Sequence, residues 1–392
     1  MPVSPTLVAP ADEPRLRRLH LLLWAWAAVW VVPFLALASV SWHFFPLGSR
    51  LLLGSAPGDG LDLYAAHPQL QFGPVTLLAA TPLVDLPYRL GERLALLVLA
   101  ALGPVLLLSL RRLMTGPHRD RRLLLAGLVA IPVWDEVAVH FGHLDDVLAL
   151  GLGVAALHAV ASRRPLLAAV LLAAAADAKP WAVGFVALLL VFRGRPLLRA
   201  VGVWAAGVAT AWLPFLLDAP ATAARLGHFT IPVAPSSALH VFGVTATRTP
   251  PWDRPAQLLL GLGLGALAVR RGHWPAVLLM VVAARLVLDP ATYPYYTSGA
   301  VLAATVADLL LTTSLTPVLT LVSAATLYAV RFAPLPGLLT QPGLAWLRVT
   351  FAAAAVATVL LVVRPGHGSS HDPGGTGELE GSGAALAPAS AA

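Results

Sequence analysis

The stretch WDEVAVHFGHLDDVLAL (Trp134–Leu150), followed after an apolar run by DAKPW (Asp177–Trp181), decides how this chain is read. Asp135, Glu136, Asp145 and Asp146 stand with His140 and His143 inside sequence that otherwise reads as buried in lipid. Lys179 is the sole lysine of the protein. A bilayer offers an ionisable group no water, so a charge at that depth is costly and is by default a functional candidate. The remainder reads as scaffold that holds this region or brings substrates to it.

Composition narrows the class. Of 392 residues, 58% are hydrophobic and 11% charged, and the mean hydropathy is +0.79. Ordinary soluble domains carry about 25% charged residues. Apolar runs recur along the whole length, so the expected fold is all-α: a polytopic membrane protein of about 12 transmembrane helices. The net charge of +7 is carried almost wholly by arginines, which cluster between apolar runs where they orient helices. No basic, aromatic-interleaved face appears, so nucleic acid is not an expected partner. Without cysteine the chain has no disulfide, thiolate metal site or cysteine nucleophile.

Residues 1–19 read as a cytoplasmic N-terminal segment, 20–364 as the membrane domain, and 365–392 as a tail with too little apolar surface to order itself. The first span, about Leu21–Trp42, reads as a retained signal anchor. A first long loop, residues 43–92, holds an apolar piece from Val75 to Val84 that is too short to span. Punctuated by Pro74, Pro82 and Pro87, it reads as short helices lying in the interface. Spans are expected next at about Leu94–Leu110, Leu123–Phe141 and Leu144–Ala161. Two short runs then flank DAKP, Leu166–Ala176 and Trp181–Phe192. At about 12–14 residues each they reach roughly 18–21 Å as α-helix, short of the ~30 Å hydrocarbon core. Their turn therefore stops at membrane depth, where it survives only inside protein or beside a water-filled cavity. Further spans are expected at about Leu198–Leu217, Ala256–Val269, Trp274–Leu288, Ser298–Leu311, Leu319–Phe332 and Leu344–Val363, with a second long loop at Asp218–Arg254.

The positive-inside rule puts the arginine block RRLMTGPHRDRR (Arg111–Arg122) in the cytoplasm, with both termini. Asp59, Asp62, Asp135, Glu136, Asp145, Asp146, Asp177, Asp218 and Asp289 then share the outer side. Since the rule counts only Lys and Arg, that acidic segregation is independent information. The expected location is the plasma membrane, with any chemistry facing outward.

Each candidate has a plain reading beside the functional one. Asp59 and Asp62, just before Tyr64 and His67, are either solvated loop acids or catalytic ones. Glu136 and His140 are four apart and share a helix face. Gly142 then breaks the helix, and Asp145 and Asp146 fall in the first turn of the next, where the macrodipole favours acids without any function. Four acids and two histidines so close together exceed that explanation. Histidine and carboxylate types admit a divalent metal, but no ligand spacing supports one. Lys179 either neutralises Asp177 or binds a phosphate. Arg285, one turn before Asp289 and followed by Tyr293, Tyr295 and Tyr296, is either a snorkelling residue in an aromatic belt or a second phosphate contact beside a sugar-stacking surface.

With an acidic first outer loop, GHLDD heading the fourth span and AKPW in a short hairpin, the chain resembles the GT-C class of membrane glycosyltransferases. Within that class it is similar to glycosyltransferase family 87, the actinobacterial mannosyltransferases that use polyprenyl-phosphate mannose. The resemblance covers roughly residues 20–330. It implies a polyprenyl-phosphate sugar donor, a lipid or glycan acceptor, surrounding membrane lipids as partners, and no cofactor. It also implies a first-loop acid as general base, Asp62 first and Asp59 in reserve, on the spacing before Tyr64. His143, Asp145, Asp146 and Lys179 would line the site, with Lys179 and Arg285 near the lipid phosphate. The runner-up is a secondary transporter of a small solute, which the absence of two matching halves disfavours. A non-catalytic scaffold for cell-envelope assembly stands third.

Overall fold

Every apolar run anticipated from the sequence is helical, because in a chain so poor in polar side chains the helix satisfies each backbone group within its own segment. The computed structural model describes residues 13–228, 230–245, 247–332 and 339–362. The expected tail, 365–392, and the segment before Glu13 lie outside the described residues. Among the described residues there is no strand.

Six helices are long and apolar enough to cross a membrane: Pro14–Leu35, Tyr88–Leu110, Arg119–His140, Leu144–Ala161, Arg195–Asp218 and Gln341–Leu361. The other expected runs wind into shorter or less apolar helices at Pro165–Ala178, Pro180–Val191, Asp253–Arg270, Trp274–Leu288, Pro294–Leu311 and Val318–Arg331. The first helix ends at Leu35, seven residues earlier than expected, and the chain bends before Phe44.

Burial separates a core from a jacket. The apolar windows of Arg119–His140 and Leu144–Ala161 are 72% and 67% buried, whereas that of Arg195–Asp218 is only 11% buried. Leu198, Leu213 and Leu217 point outward from it. An apolar helix exposed on nearly every side suits lipid and would associate in water.

The hairpin around DAKP has unequal arms. Pro165–Ala178 is α-helical, but Pro180–Val191 winds as a 3₁₀-helix of 12 residues. Its rise of about 2.0 Å per residue stretches that arm to roughly 24 Å instead of the 18 Å expected from α-geometry. Runs of 3₁₀-helix beyond three or four residues are uncommon and often mark a functional hinge. Both arms begin with proline at the first helical positions, where the missing N–H is no loss.

The first loop folds into Phe44–Leu53, a short turn at Gly60–Asp62, Leu63–Ala66 and Pro74–Ala80. The last of these docks on the hairpin turn: the Gly73 N–H and the Thr76 hydroxyl both donate to the Ala178 carbonyl, at 3.0 Å each. The loop thus covers a place where irregular backbone sits among the helices.

Candidate functional site

The site begins at Gly142. Its φ of +61° lies in the left-handed region, which lets the chain reverse between Glu136–His140, a π-helical turn, and the helix at Leu144–Ala161. That reversal puts His143 at the N-cap and Asp145 and Asp146 in the first turn. Glu136 and His140, expected to share a helix face, both fall in this π-turn. Glu136 accepts from Ser298 Oγ at 3.1 Å and from the Arg331 guanidinium, which ties it to the C-terminal helices.

Lys179 reaches the same spot from the hairpin. Its ammonium pairs with Asp145 Oδ2 and lies 3.7 Å from Asp146 Oδ2. Lys179 does not pair with the expected partner Asp177, whose Oδ1 is buried without a hydrogen bond and whose carboxylate is bonded instead by Trp212. Lys179 has extended backbone (φ −143°, ψ 117°) just past the end of the helix that carries Asp177. The pairing is therefore between elements.

Arg285 completes the cluster. Its Nη1 donates to Asp146 Oδ1 at 3.0 Å and its Nε to Asp289 Oδ2 at 3.2 Å. Its guanidinium carbon sits 4.7 Å from the Trp181 ring centroid and 4.1 Å from that of Tyr296. A planar cation clamped by two rings and two carboxylates is held in one orientation. Trp181 Nε1 also donates to Asp146 Oδ1, at 3.2 Å. His143 closes the ring: Nδ1 lies 3.1 Å from Asp145 Oδ1 and Nε2 3.1 Å from Ser41 Oγ, and its imidazole packs tilted against Tyr295 with ring centroids 3.7 Å apart.

These groups border a cavity of about 590 Å³, within the ~300–1,000 Å³ range of small-molecule sites. His143, Asp145, Lys179, Trp181, Arg285, Asp289 and the three tyrosines line it. Tyr293 and Tyr295 stack in parallel with centroids 5.5 Å apart, and Tyr293 is exposed. Asp146 lies just behind the wall, holding both cations.

The ligand atoms of His143, Asp145 and Asp146 lie within 4.8 Å of one another, a spacing that suits a metal. Asp145 Oδ2 is taken by the Lys179 ammonium and Asp146 Oδ1 by the Arg285 guanidinium, while Asp146 Oδ2 is buried without a hydrogen bond. As built, the cluster is an ion-pair network.

The structure does not bring the first-loop acids to this cavity. Asp59 accepts the Ala56 N–H at 3.3 Å within its own turn, and Asp62 is exposed; neither lines the wall. Tyr64 is fully buried beneath the loop, donating to the Phe72 carbonyl at 3.1 Å and packing on Trp212 and Phe215. Burial, and then the nearby Asp177, raise its phenol above the ordinary tyrosine value, so it acts as a fixed donor.

Two charged cavity residues are not among the sequence candidates, Asp253 and Arg254, at the start of the helix Asp253–Arg270. The signal was PWDRP, residues 251–255, where an acid and a base close the second long loop and open a helix. No protein-family model, no curated protein and no solved structure matches the chain.

Proposed function

We propose that this chain is an integral membrane glycosyltransferase. It moves a sugar, mannose by the resemblance, from a polyprenyl phosphate to a glycolipid or glycan acceptor on the outer face of the plasma membrane. In this reading all twelve apolar runs enter the bilayer, both termini are cytoplasmic, and the cavity opens outward. The observation that carries it is two oriented cations, a half-buried Lys179 and a buried Arg285, on the wall of a sugar-sized cavity rimmed by stacked tyrosines.

A sugar on a polyprenyl phosphate already carries its leaving group. The protein then needs donors for the departing phosphate, a base for the acceptor hydroxyl, and a surface for the sugar. Asp145, Asp146 and Asp289 outnumber Lys179 and Arg285, so general positive potential is not what holds the phosphate. Directed N–H groups serve instead. Lys179 has three donors and Arg285 five, more than their carboxylates use, and donors fixed in a dry site stabilise charge as it develops. Arg254, exposed at the rim and bonded to Gln71 Oε1 at 3.1 Å, adds a third cation. Direct displacement in one step inverts the anomeric centre, turning a β-linked donor into an α-linked product.

Membranes containing the protein, given radiolabelled polyprenyl-phosphate mannose and candidate glycolipids, are expected to pass label to a glycolipid. Counterflow of a soluble solute in proteoliposomes, without label transfer, would instead establish the transporter.

The topology has its own test. The natural chain has no cysteine, so single cysteines can be read without background. Ser55→Cys and Thr245→Cys, both exposed, are expected to react with an impermeant maleimide on intact cells, and Thr115→Cys only after lysis. Labelling of Thr115→Cys on intact cells inverts the orientation.

A further inference from the structure

Of the carboxylates lining the cavity, Asp145 and Asp289 are spent. Asp145 Oδ1 takes the His143 ring and the Asp146 N–H at 2.9 Å, while its Oδ2 takes the Lys179 ammonium. Asp289 Oδ1 accepts the Ala291 N–H at 3.3 Å and its Oδ2 accepts from Arg285. Lone pairs directed at fixed donors are poor proton acceptors.

Asp253 differs. It lines the same cavity, its residue is 1% exposed, and its Oδ1 is buried with no hydrogen-bond partner. Burying a carboxylate oxygen without a donor is costly, and such groups in a folded protein call for an explanation. Leu258 and Gln257 also line the cavity, and Gln257 is one helical turn from Asp253, so a single helix face presents the acid and an amide to the same space. Arg254 stands beside it at the rim, where a departing phosphate can be met. The helix N-terminus at Asp253 adds a favourable field for the carboxylate form.

We propose that Asp253, and not a first-loop acid, is the general base that deprotonates the acceptor hydroxyl; this rests on the glycosyltransfer reading above. In the step, the acceptor O–H proton passes to the Asp253 carboxylate while the acceptor oxygen bonds to the anomeric carbon. The bond from that carbon to the phosphate oxygen breaks, and its electron pair leaves with the polyprenyl phosphate, facing the N–H groups of Lys179, Arg285 and Arg254. The carboxylic acid then returns its proton to solvent through the open cavity.

The test uses the full-length protein in proteoliposomes, with polyprenyl-phosphate mannose as donor and octyl α-mannoside as the acceptor probe. Asp253→Asn is expected to lower kcat by about 10²–10⁴-fold, the usual range for a removed base, with donor KM within about threefold of the original. Asp62→Asn is expected to stay within about threefold on both. Because the oxygen has no partner to lose, the isosteric change is expected to keep the melting temperature. If it does not, Asp253→Ala is measured with and without sodium formate, whose carboxylate is expected to restore part of the turnover. Near-normal kcat in Asp253→Asn overturns the assignment, as does a folded Asp253→Ala that formate fails to rescue. A raised KM with unchanged kcat also overturns it, since Asp253 would then only bind. If the unaltered protein transfers no sugar, the glycosyltransferase reading falls and takes this assignment with it. Transfer by the unaltered protein with full activity in Asp253→Asn removes the assignment alone.

Discussion

Lys179→Met is expected to abolish sugar transfer and to destabilise the protein by about 3–5 kcal/mol, the cost of removing one partner of a buried ion pair. The change keeps the length of the side chain but leaves Asp145, 1% exposed, with only His143 and one backbone N–H to hold its charge. That is a large fraction of the ~5–15 kcal/mol by which a folded domain is stable. A second substitution separates stability from chemistry. In Lys179→Met with Asp145→Asn the stranded charge is gone, so thermal stability is expected to return most of the way, while transfer stays absent because the phosphate still lacks its ammonium. Recovery of both in the double variant would make Lys179 a neutralising residue only and would sink its part in the reaction.

The contrast with the sequence reading lies in that pair. Lys179 stood out because a lone lysine at membrane depth is conspicuous whatever it touches. Its partner could not be read, since Asp177 is two residues away and side chains at that spacing do not face each other across a helix end. The true partner is 34 residues distant, brought close only when the hairpin packs on the helix Leu144–Ala161. Arg285 and Asp289 were legible for the opposite reason: one helical turn separates them, and they do pair. The arms of the hairpin were visible as apolar runs, but nothing in PWAVGFVALLLV distinguishes 3₁₀ from α winding, because hydrophobic residues occupy every face.

The candidate base shows a different limit. In sequence, Asp59, Asp62 and Asp253 are all loop acids beside a turn, and the spacing before Tyr64 drew attention to the first two. Exposure separates them in the folded chain: Asp62 is open to solvent, whereas Asp253 is 1% exposed and borders the cavity with Asp289 and the tyrosines. A lone acid reads the same in sequence whether its loop lies on the surface or folds back over a cavity.

Gly73→Ala is expected to be the most damaging single methyl group in the protein. A Cβ at Gly73 would sit 1.8 Å from the Asp177 carbonyl oxygen and 2.5 Å from its carbon, both backbone atoms that cannot rotate aside. Gly73 has φ −81° and ψ 170°, a conformation open to any residue, so the penalty is purely steric and no backbone strain enters. Relief requires the first loop to lift from the hairpin turn. Both hydrogen bonds to the Ala178 carbonyl would then break, leaving that acceptor buried. Overpacking and a stranded carbonyl together cost about 2–6 kcal/mol. Catalysis is expected to suffer beyond stability, because Lys179 follows Ala178 directly and a shift of about 1 Å in a reacting group can cost 10²-fold. Gly263→Ala is the control: nothing lies within 4 Å of its Cβ, and alanine is the better helix former, so stability is expected to hold or rise slightly. Thermal melts and transfer rates of the two variants, measured side by side, decide the matter. A Gly73→Ala protein that melts and turns over like Gly263→Ala would mean that the first loop does not rest on the hairpin turn as described, and that Lys179 is positioned without it.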